Sequence, residues 1–125
     1  MVDLYELSKK VPLLTQEHTL EPLWGDDTGR NSNSGVFSGT FKGYFSQIVV
    51  EFAKTTQEQL TLIKDEFEHS VINVRYKDSN TGNWISEEFY GTAIKAKLNE
   101  WEGKYLPFSI TLTAIREYEK WHIMK

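Results

Sequence analysis

The chain has 125 residues, 39% of them hydrophobic and 26% charged, with a net charge of −4 and a pI of about 5.4. This is the composition of one soluble globular domain, and its acidic balance argues against sequence-independent binding to nucleic acid. There are no cysteines, which excludes disulfides, thiolate metal sites and cysteine nucleophiles.

Residues 1–34 read as an extended arm followed by a loop. Leu4, Leu7, Val11, Leu13, Leu14, Leu20 and Leu23 are apolar, but Pro12 and Pro22 interrupt any regular element, leaving room for a short strand near 11–14. The start, "MVDLYELSKK", carries acids where a signal peptide needs a basic start and an apolar core. The expectation is therefore a chain made in a cytoplasm without processing. "GDDTGRNSNSG" is rich in residues that satisfy their own backbone in turns. A loop of that length in a compact domain is usually functional or mobile.

"GVFSGTFKGYF" places glycine at every fourth position, the spacing of a membrane helix-pairing face. The apolar run is too short to span a bilayer. With period two, Gly35, Phe37, Gly39, Phe41, Gly43 and Phe45 fall on one face of a strand. Residues 36–53 thus read as strand, bent near Lys42 and Gly43. In its second half Ile48, Val50 and Phe52 oppose Gln47, Val49 and Glu51.

"TTQEQ" is a helix start: Thr55 with Glu58, or Thr56 with Gln59, forms a capping box. Leu60, Ile63 and Phe67 follow at helical spacing, predicting a helix over about 56–68. The period then returns to two. Ile72, Val74 and Tyr76 share a face, residues 78–83 ("DSNTGN") form a hairpin loop, and "WISEEFYGTAIKAKL" reads as one long strand with Tyr90, Thr92, Ile94, Ala96 and Leu98 on one face. A linker, "NEWEGKYLP", leads to the closing strand, where Phe108, Ile110, Leu112 and Ala114 alternate with polar residues. Residues 119–125 are a tail. The expectation is a single domain, residues 1–125, with residues 35–118 folded as an antiparallel β-sandwich or barrel flanked by one α-helix.

No catalytic constellation emerges. His18, His69 and His122 are far apart and read as ordinary surface or half-buried side chains. Glu87 and Glu88 point to opposite faces of a strand, as a solvated strand end. Asp26, Asp27, Asn31 and Asn33 offer oxygen ligands, yet their spacing does not fit a calcium loop. No serine sits in G-x-S-x-G. The expectation is no enzyme, no cofactor and no metal. Trp24 and Trp84 neighbour loops, and Trp101 and Trp121 lie in the linker and tail; core rings and sheet-end seals are favoured over an exposed stacking platform.

"DDTGRNSNSGVFSGTFKGYFSQIVVEF", "TTQEQLTLIKDEF", "INVRYKDSNTGNW", "EEFYGTAIKAKL" and "YLPFSITLTAIRE" resemble small tail proteins of bacteriophages and prophages of Gram-positive bacteria, over about residues 20–118. The resemblance implies a virion structural protein with a tail-tube or baseplate-hub fold that assembles into rings, with a hexamer the first guess. Tube, tube terminator, distal tail ring and baseplate accessory stay open as positions. It implies partners among copies of the chain and neighbouring tail proteins, with neither nucleic-acid readout nor membrane insertion. The loop 25–34 and the hairpin 78–83 would be inter-subunit arms, making Asp26, Asp27, Arg30, Asn31, Asn33, Asn80 and Trp84 the expected assembly interface. The alternative function is a carbohydrate-binding module using exposed Trp and Tyr rings.

Overall fold

A computed structural model of the chain describes residues 1–24, 29–30, 37–38 and 41–118. Among them the fold is mainly β, with two helices and one large sheet. The sheet has six strands: β1 (Val2–Asp3), β2 (Leu13–Trp24), β5 (Phe41–Phe52), β6 (Ile72–Lys77), β7 (Trp84–Gly91) and β10 (Phe108–Ala114), in the order β1-β6-β7-β10-β5-β2. Two short ladders stand apart, β3 (Gly29–Arg30) with β4 (Phe37–Ser38), and β8 (Leu98–Asn99) with β9 (Lys104–Tyr105). The helices are a single turn, α1 (Leu4–Leu7), and α2 (Gln57–Phe67).

The core follows from period-two alternation. Ile48, Val50 and Phe52 of β5 lie opposite Leu112, Ile110 and Phe108 of β10, and all but the half-buried Phe108 are at most 1% exposed. Ile72, Val74 and Tyr76 of β6 continue the same face. Leu4 and Leu7 from α1, and Ile63 and Phe67 from α2, pack on it. The Phe52 ring meets Phe67 edge-on and stacks on Phe108.

Of the two capping boxes offered by the sequence, the structure uses Thr56 with Gln59: the Thr56 hydroxyl accepts from the Gln59 N–H and the Gln59 side chain accepts from the Thr56 N–H. The strand bend expected near Gly43 is a β-bulge. Leu23 pairs with Gly43 and Trp24 with Phe41, so Lys42 is the extra residue. Gly43 has φ of +110°, open to glycine and strained for other residues.

Four expectations need correction. Residues 1–24 are not an arm. β1 pairs in parallel with β6, Val2 against Val74, and β2 pairs along its length with β5. Pro22 does not prevent this because β2 is an edge strand, where a missing N–H is tolerated. The parallel pair makes the sheet mixed instead of purely antiparallel, and α1 is a second helix. The strand expected to run from Trp84 to Leu98 stops at Gly91; Phe89 is buried against Tyr76, and Tyr90 is 53% exposed. The linker holds the β8–β9 hairpin, whose Thr55–Tyr105 bridge ties it to the start of α2.

The sheet curls strongly. Gln16 and His18 on β2, at one edge, reach Lys77 and Ser79 at the end of β6, four strands away in sheet order. The Lys77 N–H donates to Gln16 Oε1 at 3.3 Å and the Ser79 N–H to His18 Nδ1 at 3.1 Å.

Candidate functional site

Of the residues singled out from the sequence, Arg30, Asn80 and Trp84 lie among those described. Asp26, Asp27, Asn31 and Asn33 lie outside the described residues. Arg30 pairs with Phe37 in the β3–β4 ladder. Asn80 is exposed in the β6–β7 turn, its N–H donating to Asp78 Oδ1 at 2.9 Å. Trp84 is half-buried and covered: Tyr5 meets its ring edge-on at 5.8 Å, and the Arg75 guanidinium, held by Asp3 at 2.9 Å, lies 5.3 Å from its centroid. Within the chain it seals one end of the sheet. The 78–83 hairpin is anchored at its root by the fully buried Asp78, and Ser79, Asn80, Gly82 and Asn83 beyond it are exposed.

The structure instead gathers His18, Ser46, Tyr76, Asp78, Ser79, Glu87 and Tyr118 where the sheet curls shut. Strand register places most of them. His18 lies opposite Ile48 and Glu87 opposite Val74. Ser46 is two residues from Ile48, and Tyr76 two from Val74. All four therefore share the face that is aliphatic at the other end of the sheet. Polar side chains buried there must bond to one another.

They do so as a connected network. The backbone N–H of Ser79 donates to His18 Nδ1, so the ring proton sits on Nε2, which donates to Ser46 Oγ at 3.1 Å. Ser46 Oγ donates to Glu87 Oε1 at 3.1 Å, and Tyr76 OH donates to the same oxygen. Ser46 Oγ and Tyr76 OH are 3.1 Å apart. On the other side, Tyr118 OH donates to Asp78 Oδ2 at 2.5 Å, and Asp78 Oδ1 lies 3.6 Å from His18 Nδ1.

The electrostatics follow from burial. Desolvation lowers the His18 pKa from its ordinary value, only partly offset by the nearby Asp78 charge. Burial works to raise that of Asp78, but the bonds from Tyr118 and Asn80, with His18 and Thr81, outweigh it and leave it lowered. Burial and the bond to Glu87 push the Tyr76 hydroxyl up; burial and Asp78 do the same to Tyr118. At neutral pH the site holds a neutral imidazole and two tyrosine hydroxyls kept protonated.

Ser46, His18 and Asp78 have the order of a nucleophile–base–acid triad, but not its chemistry. Ser46 is fully buried. The Nε2 proton points at the serine, so the ring is not placed to accept one from it. Nδ1 is taken by the Ser79 N–H, and the Asp78 distance is beyond a hydrogen bond. An opening of about 270 Å³ beside the cluster is lined by Gln16, His18, Lys77, Asp78, Ser79 and Gly82, and Ser46 is not part of its wall. Among the described residues no group of three or more His, Cys, Asp or Glu could hold a metal ion. What the arrangement does is fasten the edge strand β2 to the β6–β7 turn, with Tyr118 closing it from the chain beyond β10.

Sequence reasoning missed this site. It read His18 as an ordinary surface or half-buried residue; the residue is half-buried, but its side chain is 3% exposed and bonded on both ring nitrogens. Glu87, read as a solvated strand end, accepts from Ser46 and Tyr76. The one legible signal was phase: Ser46 and Tyr76 continue the apolar positions of their strands. No family model matches the chain, and neither the curated proteins nor the solved structures contain a match to it.

Proposed function

We propose that the chain is a structural protein of a phage or prophage tail, working in the virion by pairing with copies of itself and with neighbouring tail proteins, and not as an enzyme. In this reading the curled sheet is a barrel of the tail-tube and hub type, and its product is a ring. The observation that carries the proposal is the β2–β5 ribbon. β10 pairs with β5 only as far as Gln47. Beyond it, residues 20–24 and 41–46 pair with each other, with the Ser46 side chain tied into the polar cluster and the Tyr118 N–H donating to the Tyr44 carbonyl at 2.7 Å. At about 3.3 Å per residue this stretch is about 20 Å long. A two-stranded ribbon is marginal in water by itself, and its outer edge is a template for a strand from another chain. The resemblance over residues 20–118 supplies the class of assembly.

The glycan alternative has no such support. The exposed rings Tyr5, Tyr44, Tyr90 and Trp101 stand on four separate elements.

Negative-stain microscopy of the purified protein at high concentration, with light scattering across a dilution series, tests the reading. Rings or tubes are the expected result, and a strict monomer at every concentration overturns it. The resemblance makes Arg30 part of the assembly interface, so Arg30→Ala, in the ladder between the ribbon strands, should weaken assembly and leave the melting temperature nearly unchanged. An assembly insensitive to this change would remove Arg30 from the interface.

A further inference from the structure

At Gly91 the sheet loses a strand. Leu112, Thr113 and Ala114 of β10 are paired with Gly91, Tyr90 and Phe89. Thr92 adds two bonds: its N–H donates to the Thr111 carbonyl at 3.1 Å, and its Oγ1 accepts from the Thr111 N–H at 3.2 Å. The chain then leaves β10. Backbone groups point to alternate sides along a strand, so Ser109, two residues from Thr111, turns its N–H and carbonyl towards the vacated side. Among the described residues no strand lies opposite it there. The opening is a groove of about 670 Å³, with Ala93, Leu106, Pro107 and Phe108 supplying apolar surface and the exposed Lys95 and Lys97 supplying positive charge.

The β8–β9 hairpin rises from the same wall, where the Leu106 N–H donates to the Lys97 carbonyl at 2.8 Å. Its turn reads Glu100-Trp101-Glu102. Trp101 is 95% exposed, more than any other large hydrophobic residue among those described. The turn beneath it is braced. Asn99 Oδ1 accepts from the N–H groups of Trp101 (3.1 Å) and Glu102 (3.4 Å), the Gly103 N–H returns to the Asn99 carbonyl, and Lys54 Nζ bonds Glu102 at 2.8 Å. Gly103, at φ of +71°, makes the left-handed step that closes it.

We propose that Trp101 of one copy seats in the groove beside Lys95 and Lys97 of a second copy, with Glu100 against those lysines. The knob is apolar between acids, and the groove is apolar beside bases, so shape class and charge both match. Because the turn is already braced, little conformational freedom remains to be lost on docking. Knob and groove are unlike patches of one chain, so the contact repeats from copy to copy, as a ring or tube requires. One tryptophan buries about 200 Å², well short of a stable interface of about 1,200 Å² or more. Trp101 is therefore an anchor within a larger contact. The proposal rests on the self-assembly reading above and names its contact.

Sedimentation equilibrium of the whole chain tests it. Trp101→Ala, a change made in solvent that leaves the fold and its circular dichroism intact, should weaken association roughly thirtyfold or more, as loss of a central hot spot does. Lys95→Glu with Lys97→Glu should weaken it too, and adding Glu100→Lys to that variant should recover part of the loss. Association equal to wild type in Trp101→Ala, or no recovery by the third change, overturns the contact and leaves self-assembly standing. Trp101-dependent pairs that never become rings or tubes keep the contact and overturn the tail reading. A wild-type chain that stays monomeric overturns both.

Discussion

Leu112 shows what a single buried residue contributes. It is fully buried, lies opposite Ile48 and Gly91, and touches both halves of the sheet. Leu112→Ala should cost about 2–5 kcal/mol through lost burial and the cavity left behind, seen as a lower urea midpoint. A midpoint equal to wild type would contradict the packing. Thr55 and Thr56 are adjacent and should behave oppositely. Thr56 caps α2, so Thr56→Ala should cost about 1 kcal/mol. Thr55 is buried and its hydroxyl has no hydrogen-bond partner among the described residues, and a buried polar atom without a partner is a cost in itself. Thr55→Val keeps the shape and removes that cost, so it should hold or raise the melting temperature. A fall comparable to that of Thr56→Ala would mean that the hydroxyl has a partner.

At the scale of elements, alternation made three of the six strands of the sheet readable. The facing of β5, β6 and β10, the start of α2 and the 78–83 turn all follow from short-range pattern, because a strand buried on one face must repeat every second residue. What pattern could not supply was pairing. The fate of residues 1–24 depends on β5 and β6, and Pro12 and Pro22 look prohibitive until β2 is known to be an edge. The polar cluster is harder still, since His18 and Ser79 are 61 residues apart. Its acid sensitivity has a definite sign. Burial holds His18 below its ordinary value of 6.5, so the unfolded chain takes up a proton where the folded one resists it. Stability should fall as the pH drops below about 6.5, and level off once the folded ring protonates as well. Asp78, lowered from 3.8, adds a second loss of the same sign at more acidic pH, as the pH falls below about 3.8. Urea midpoints between pH 8 and 5 should slope in wild type, and the slope should flatten in His18→Asn. A flat wild-type profile would contradict the buried, neutral imidazole. The bulge gives one further test. Gly43→Ala forces a side chain into φ of +110° and against the Glu117 carboxylate, and should cost more than about 1 kcal/mol in thermal melts.

For the whole molecule, the sequence of strands in space differs from their sequence in the chain in one telling way. β2 with β5, and β6 with β7, are each joined by chain that turns back on itself, whereas β10 comes last and lies between them. Phe108 pairs with Phe52, 56 residues away, and Val2 with Val74, 72 away. Contacts this distant are slow to form, because the chain must close long loops before they stabilise anything. A ribosome delivering this chain therefore releases two half-sheets whose inner borders stay unpaired until residues 108–114 arrive, with side-chain bonds such as His18–Ser79 and Ser46–Glu87 as the other links between them. During that interval the borders destined for β10 can capture a strand from any nearby nascent copy. The strand that completes the monomer is thus also what separates orderly assembly from premature aggregation, and the timing of its synthesis becomes part of the folding mechanism.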